Sequence, residues 1–145
     1  PTDIGLESSV VDCSVEPPLL LRRGAVSIDE LRAVVPSVRE LASGETGAEK
    51  SPGLRHRHYS PRARVAIGTG LPEGFAGRAA FIGMQTPADV FAECLIVNSA
   101  EEYAASLFEF FRKCDRGGVE LIVCGPVPET GIGAALMDRI RRAAE

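Results

Sequence analysis

One run constrains the fold more than any other. VELIVC, Val119 to Cys124, is apolar, rich in β-branched residues and flanked by Gly117-Gly118 and Gly125, which is the pattern of a buried strand. Helical periodicity lies on either side of it. Upstream, Ala104, Leu107, Phe108, Phe111 and Cys114 recur at steps of three and four and so share one face. Asn98-Ser99 opens that helix, Ser99 and Glu102 have capping-box spacing, and Gly117-Gly118 closes it. Downstream, Ile132, Leu136, Ile140 and Ala143 mark a last helix, with Arg139, Arg141 and Arg142 near its negative end. Arg64 to Gly68, Ala79 to Gly83 and Glu93 to Val97 are further strand candidates. Strands alternating with helices predict an α/β unit, a parallel sheet with helical crossovers.

The first part of the chain has a different rhythm. Val10 to Cys13 and Leu19 to Val26 read as strands joined across Pro17-Pro18, and a short connection favours antiparallel pairing. Ser27-Ile-Asp-Glu30 has the form of a capping box, and the short helix that follows stops before Pro36. Residues 42–62 mix Gly, Ser, Glu, Lys and Pro without periodicity and read as a linker. The expected division is therefore 1–41, linker 42–62 and a small α/β domain over 63–145.

Composition bounds the class. Apolar residues make up 45% of the 145 positions, enough for a core, but with six Phe, two Tyr and no Trp the packing is mostly aliphatic. No apolar run approaches the ~20 residues that span a bilayer, and Pro1 onward shows no basic-then-apolar leader pattern. The four cysteines contain no C-x-x-C pair. Cys94 and Cys124 lie in strand-like runs and are expected buried as small hydrophobes; Cys114 ends a helix. No disulfide or structural metal is read from these spacings.

Within the linker, SPGLRHRHYSP packs Arg55, His56, Arg57, His58 and Tyr59 between prolines, with Arg62 and Arg64 close behind. No acidic residue occurs from Ser51 to Gly70, although the formal net charge is −4. Such a block either binds an anion, since guanidinium forks match phosphate and carboxylate oxygens, or is a solvated basic linker. His56 and His58 share a face in an extended chain, yet no nearby acid or cysteine completes a metal site. Two glycine patterns invite a nucleotide. GTGLPEG, with Gly68, Gly70 and Gly74, faintly resembles a dinucleotide fingerprint but has Pro72 in its loop and little helical periodicity after it. Gly131 and Gly133 open the last helix, where free amides hold an anion or the missing side chains allow a tight entry; the steric reading is favoured. Ser8 and Ser9 precede an apolar strand and, taken alone, are structural.

Three ordered motifs resemble one family. SPGLRHRHYSP is similar to the interdomain linker of the long, two-domain threonylcarbamoyl-AMP synthases, which carry a YrdC-type catalytic domain and usually read close to SPGMKYRHYAP there. GLESSVVDC, Gly5 to Cys13, resembles the family's G-x-E-S-T-V-V-D strand. LLRRGAVSIDEL, Leu20 to Leu31, resembles its L-R-P-G-A-I segment, with Arg23 where Pro is usual. The helix around Tyr103 to Asp115 and the closing GIGAALMDRIRRAA resemble its small C-terminal domain.

The resemblance implies the following. Residues 1–41 are the C-terminal part of a YrdC-type catalytic domain, 42–62 an interdomain lid linker and 63–145 a small Rossmann-like domain. The reaction is L-threonine, bicarbonate and ATP giving threonylcarbamoyl-AMP and pyrophosphate, for threonylcarbamoyladenosine modification of tRNA. Ser8 and Ser9 contact threonine; Arg22, Arg57, His58 and Tyr59 contact ATP, which carries Mg2+ as a substrate complex with no tightly bound cofactor. No catalytic acid, base or metal ligand is assigned, and Glu7 and Asp12 are structural. The family's K-x-R and S-x-N segments have no counterpart here, so the fragment alone is expected to be inactive and to need the N-terminal part of the catalytic domain. Partner proteins of tRNA modification, no membrane, and a cytoplasmic or, in a eukaryote, mitochondrial location complete the expectation. The rival readings are a non-catalytic module that binds RNA and an independent nucleotide-binding α/β domain.

Overall fold

The computed structural model of the chain describes residues 5–41 and 60–145; most of the linker, including Arg57, His58 and Tyr59, lies outside them. The first part holds β1 (Val10–Asp12), β2 (Leu19–Arg22), α1 (Ile28–Val34) and β3 (Arg39–Glu40). β1 and β2 pair antiparallel, as their short connection implies, with an irregularity between Val10 and Val11. β3, which has no sequence signal, adds parallel to β2 with Leu19 opposite Arg39. Both halves of the Ser27 capping box form: the hydroxyl accepts from the Glu30 amide at 3.3 Å and the Glu30 carboxylate accepts from the Ser27 amide at 2.8 Å.

The second part holds β4 (Arg64–Ile67), β5 (Ala79–Gly83), β6 (Glu93–Ile96), α2 (Ala100–Arg116), β7 (Leu121–Cys124) and α3 (Ile132–Ala144). The four strands form a parallel sheet in the order β4-β7-β5-β6, as the α/β pattern predicts. A helix crosses between strands once, from β6 through α2 to β7; β4 to β5 and β5 to β6 are joined by loops. Strand alternation sorts the core. Ala80, Ile82, Ile122 and Cys124 face α2 and α3, with Leu107, Phe111, Leu136 and Ile140 in the same cluster. Ala79, Phe81, Leu121 and Val123 face the other way, covered by Leu71, Phe75 and Phe91 from the loops. The α2 face is wider than its period suggests, because Tyr103 and Phe110 are buried too.

Two details differ from expectation. Cys94 is exposed. It lies on the edge strand β6 opposite Phe81, on the loop side of the sheet, so an apolar run there is buried on one face only. At Ser99 the hydroxyl accepts from the Glu102 amide at 3.2 Å, but the Glu102 carboxylate turns to the Asn98 amide at 2.8 Å, one residue earlier than a capping box places it.

The two parts share a core. Leu6 is 6% exposed and belongs to the cluster that contains Tyr103 and Leu107. Gly5 has φ of +69°, and a Cβ there would stand 2.3 Å from the Ala105 Cα, so both backbone conformation and close approach to α2 demand glycine.

Candidate functional site

The antiparallel register places Val10 opposite Arg22 and brings the residues just before Val10 beside the end of β2. Arg22 reaches across this junction. Its Nε and Nη2 donate to the Ser8 carbonyl at 3.1 and 3.0 Å, and Nη2 donates to the Ser8 hydroxyl at 3.3 Å. Two sequence-predicted site residues are thus in direct contact. Gly24 makes the approach possible: a Cβ there would stand 2.3 Å from the Ser9 nitrogen and 2.4 Å from the Glu7 oxygen.

Ser9 is held differently. Its hydroxyl donates to the Val26 carbonyl at 2.6 Å and accepts from the Val26 amide at 3.1 Å. A serine hydroxyl has one proton and two acceptor positions, so these bonds use the donor and leave one acceptor position.

Glu7, which reads from sequence as structural, lies between two arginines. Its Oε2 is 3.4 Å from Nη1 of Arg22 and 2.6 Å from Nη2 of Arg139 on α3. By sequence position Arg139 serves the helix end. In the fold its side chain, 11% exposed, turns instead to the first part of the chain, donates also to the Arg23 carbonyl at 3.5 Å and pairs with Asp138 at 3.0 Å. Burial pulls its pKa below the usual arginine range, against the opposing pull of Glu7 and Asp138; a guanidinium remains charged all the same. No sequence signal links Glu7 to Arg139, because their contact spans 132 positions.

Arg23, where the family pattern has Pro, has its own partner. It binds Glu40 on β3 at 2.5 Å and lies 4.0 Å from Glu129, and the hydrogen bond to Glu40 raises its pKa. Arg141 pairs with the same Glu129. Asp29, Glu40 and Glu129 line the hollow beside Arg23, with Glu40 and Glu129 each paired to an arginine.

The glycine patterns resolve as geometry. No helix intervenes between β4 and β5, so GTGLPEG lacks the strand–loop–helix context of a dinucleotide site. At Gly133 a Cβ would stand 2.1 Å from the Pro128 carbonyl oxygen, which is the tight entry expected. Among the described residues, no three His, Cys, Asp or Glu side chains converge as a metal site, and no helix is long and apolar enough to cross a membrane.

The sequence profile of the family described as threonylcarbamoyl-AMP synthase, C-terminal domain, matches residues 26–145. The chain belongs to this family. It is 31% identical over 159 residues to the threonylcarbamoyl-AMP synthase of Pyrococcus abyssi, a match that covers 99% of this chain and 47% of the relative. The Bacillus subtilis threonylcarbamoyl-AMP synthase is 32% identical over 163 residues, covering 99% of this chain and 46% of its own length. The chain therefore spans about half the length of the curated relatives it matches. Among solved structures, P. abyssi Sua5 complexed with L-threonine superposes with a TM-score of 0.82 at 32% identity, over 99% of this chain and 47% of that one. A variant of that protein, with an adjacent His and Tyr both changed to alanine, superposes with a TM-score of 0.81 at 30% identity, over 99% and 46% of the two chains.

Proposed function

We propose that the chain is the C-terminal part of an enzyme that makes threonylcarbamoyl-AMP from L-threonine, bicarbonate and ATP, for transfer of the threonylcarbamoyl group to an adenosine of tRNA. The observation that carries this reading is the contact of Arg22 with Ser8. Residues 14 positions apart, matching the family's nucleotide-contacting arginine and threonine-contacting serine, lie within hydrogen-bond distance. A threonine held at Ser8 and a phosphate held at Arg22 would be neighbours, as attack of an N-carboxylated threonine on the α-phosphate requires.

Each residue has a role its chemistry supports. Ser8 bonds the amino acid. Ser9 offers its remaining acceptor position to an ammonium and otherwise keeps the strand on Val26. Arg22 offsets the repulsion between the carbamate and the phosphate it approaches. Arg57, His58 and Tyr59 supply further donors from the linker, closing over the triphosphate and excluding water from the mixed anhydride. Support for the last pair comes from the P. abyssi variant with adjacent His and Tyr replaced, since His58-Tyr59 is the one such pair in this sequence. Mg2+ would enter on the phosphates of ATP, which hold this cation with few protein ligands. Residues 1–41 belong, in this reading, to a catalytic domain whose remainder supplies the other ATP and threonine contacts, and the product passes to partner proteins of tRNA modification in the cytoplasm or mitochondrion.

The test is pyrophosphate release dependent on threonine, bicarbonate and ATP in the full-length protein, with Ser8→Ala and Arg22→Ala. Loss of one hydrogen bond at Ser8 should raise the KM for threonine about tenfold, the effect of ~1.4 kcal/mol. Arg22→Ala should weaken ATP more. Salt-sensitive RNA binding indifferent to Arg22, without pyrophosphate release, would refute the reading.

A further inference from the structure

Arg139 is a largely buried cation, its side chain 11% exposed, on a helix that carries none of the predicted site residues. Burying a guanidinium in an ion pair is a poor route to stability, because desolvation offsets most of the attraction. Apolar side chains of similar volume in place of the whole pair would pack against the same surface without that desolvation. The retained feature of Arg139 is direction: Nη2 lies 2.6 Å from Oε2 of Glu7, and the same oxygen faces Nη1 of Arg22 at 3.4 Å. One carboxylate is thus shared by two guanidinium groups, one from the small domain and one from the candidate site.

We propose that Arg139 is a positioning residue that acts through Glu7 to fix Arg22 and Ser8 for substrate, so that the small domain completes the threonine and nucleotide site. The inference rests on the reading of the site given above. Glu7 immediately precedes Ser8, so holding its carboxylate sets the backbone whose carbonyl receives two bonds from Arg22. The same carboxylate separates two like charges that would otherwise repel. With Arg139 removed, the carboxylate swings freely onto Arg22 and draws its positive charge from the phosphate. With Glu7 neutralised, Arg22 and Arg139 push apart and Arg22 leaves Ser8. Either way the loss falls on ligand affinity and on substrate placement.

The experiment uses the natural full-length protein with Arg139→Met, Arg139→Lys, Glu7→Gln and the double variant Glu7→Gln with Arg139→Met. L-Threonine and ATP affinities are measured by calorimetry and KM and kcat by pyrophosphate release, all below the melting temperature of each variant. Arg112→Met, which removes an exposed pair with Glu109, is the control and should change neither affinity. Arg139→Met and Glu7→Gln should each weaken both ligands by roughly two- to 150-fold, the range for coupled neighbours. The double variant should be no weaker than Glu7→Gln alone, and Arg139→Lys should recover most of the loss. A structural ion pair predicts a lower melting temperature with unchanged affinities; that result, or additive losses in the double variant, overturns the proposal. If Arg139→Met does not fold, Arg139→Lys against Glu7→Gln decides between the same two outcomes from the affinity of folded proteins. If the unaltered protein binds neither ligand, the reading of the site falls first and the relay with it. If it binds both and Arg139→Met binds equally, the relay alone falls.

Discussion

Gly24→Ala puts the site's construction under direct strain. The added methyl would stand 2.3 Å from the Ser9 nitrogen and 2.4 Å from both the Glu7 oxygen and the Ser8 carbonyl carbon. Ordinary contact begins near 3.4 Å, so the backbone at residues 7–9 must retreat by about 1 Å. All three obstacles are main-chain atoms, and no rotamer change relieves them. Overpacking of this kind costs about 1–3 kcal/mol. For a chain of about this size each kcal/mol moves the melting temperature roughly 2–4 °C.

The displacement falls on the segment that carries Ser8 and leads into β1. Bonds of 3.0 to 3.3 Å from Arg22 then lengthen or drag the guanidinium with them, so on the proposed function the ATP affinity of the full-length protein should fall together with stability. Differential scanning calorimetry and ATP titration measure the two quantities. Gly68→Ala is the matched control. Nothing lies within 4 Å of a Cβ there, and restricting the unfolded chain should leave the protein unchanged or more stable by up to about 1 kcal/mol. A Gly24→Ala protein that melts within about 1 °C of the parent and binds ATP equally would refute the close approach of Gly24 to residues 7–9.

The thiols and the buried tyrosine give two further checks. Burial pushes the Cys114 thiol up to about 11 and the Cys124 thiol up to about 12, whereas Cys13 and Cys94 are exposed. Maleimide should therefore label Cys13 and Cys94 in the native protein and the other two only on unfolding, since the thiolate is the reactive form. The folded state keeps protons that free thiols release near pH 9, so stability is complete below that pH and declines as pH rises toward 11 and 12; urea midpoints across this range would show it, and a flat profile would contradict it. The Tyr103 hydroxyl donates to the Ile82 carbonyl at 2.8 Å, and that oxygen also accepts the Gly125 amide. Tyr103→Phe leaves the Ile82 carbonyl bonded to the Gly125 amide and removes the hydroxyl from the Cys124 thiol beside it, and should cost about 0.5–1.5 kcal/mol in urea unfolding; a loss several times larger would contradict that modest role.

Local signals are legible in proportion to how little they depend on residues distant in sequence. Ala79 to Gly83 reads correctly to the residue, because apolar residues bounded by breakers are enough for a central strand. The Ser27 box also reads correctly, being complete within four residues. β3 escapes such reading: two residues, Arg39 and Glu40, become a strand only because β2 offers an edge. Cys94 misleads because a strand's sequence does not say that it is an edge. In the site, Ser8 and Arg22 are reached through motif resemblance, and periodicity alone gives no reason to join them. Glu7 falls within a matched motif yet reads as structural, because a single carboxylate just before a strand has no distinguishing pattern; its meaning comes from Arg139, brought beside it by the fold.

The expected boundary near residue 42 separates elements but does not separate cores. Gly5 abuts α2, Leu6 lies inside the core of the second part, and Glu7 is held by α3. Ser8 and Ser9 follow without a break. The segment that leads into the candidate site is therefore attached to the small domain by three consecutive residues. Sliding the small domain away from Ser8 would expose Leu6, a penalty of roughly 1.5–3 kcal/mol for such a side chain, and would open the Glu7–Arg139 pair as well. Residues 7–9 are bound equally to the first part, by Arg22 to Ser8 and by Ser9 to Val26, so this segment ties the two parts together rather than moving with either one. On that account a change felt by α2 or α3 reaches Ser8 through the backbone itself.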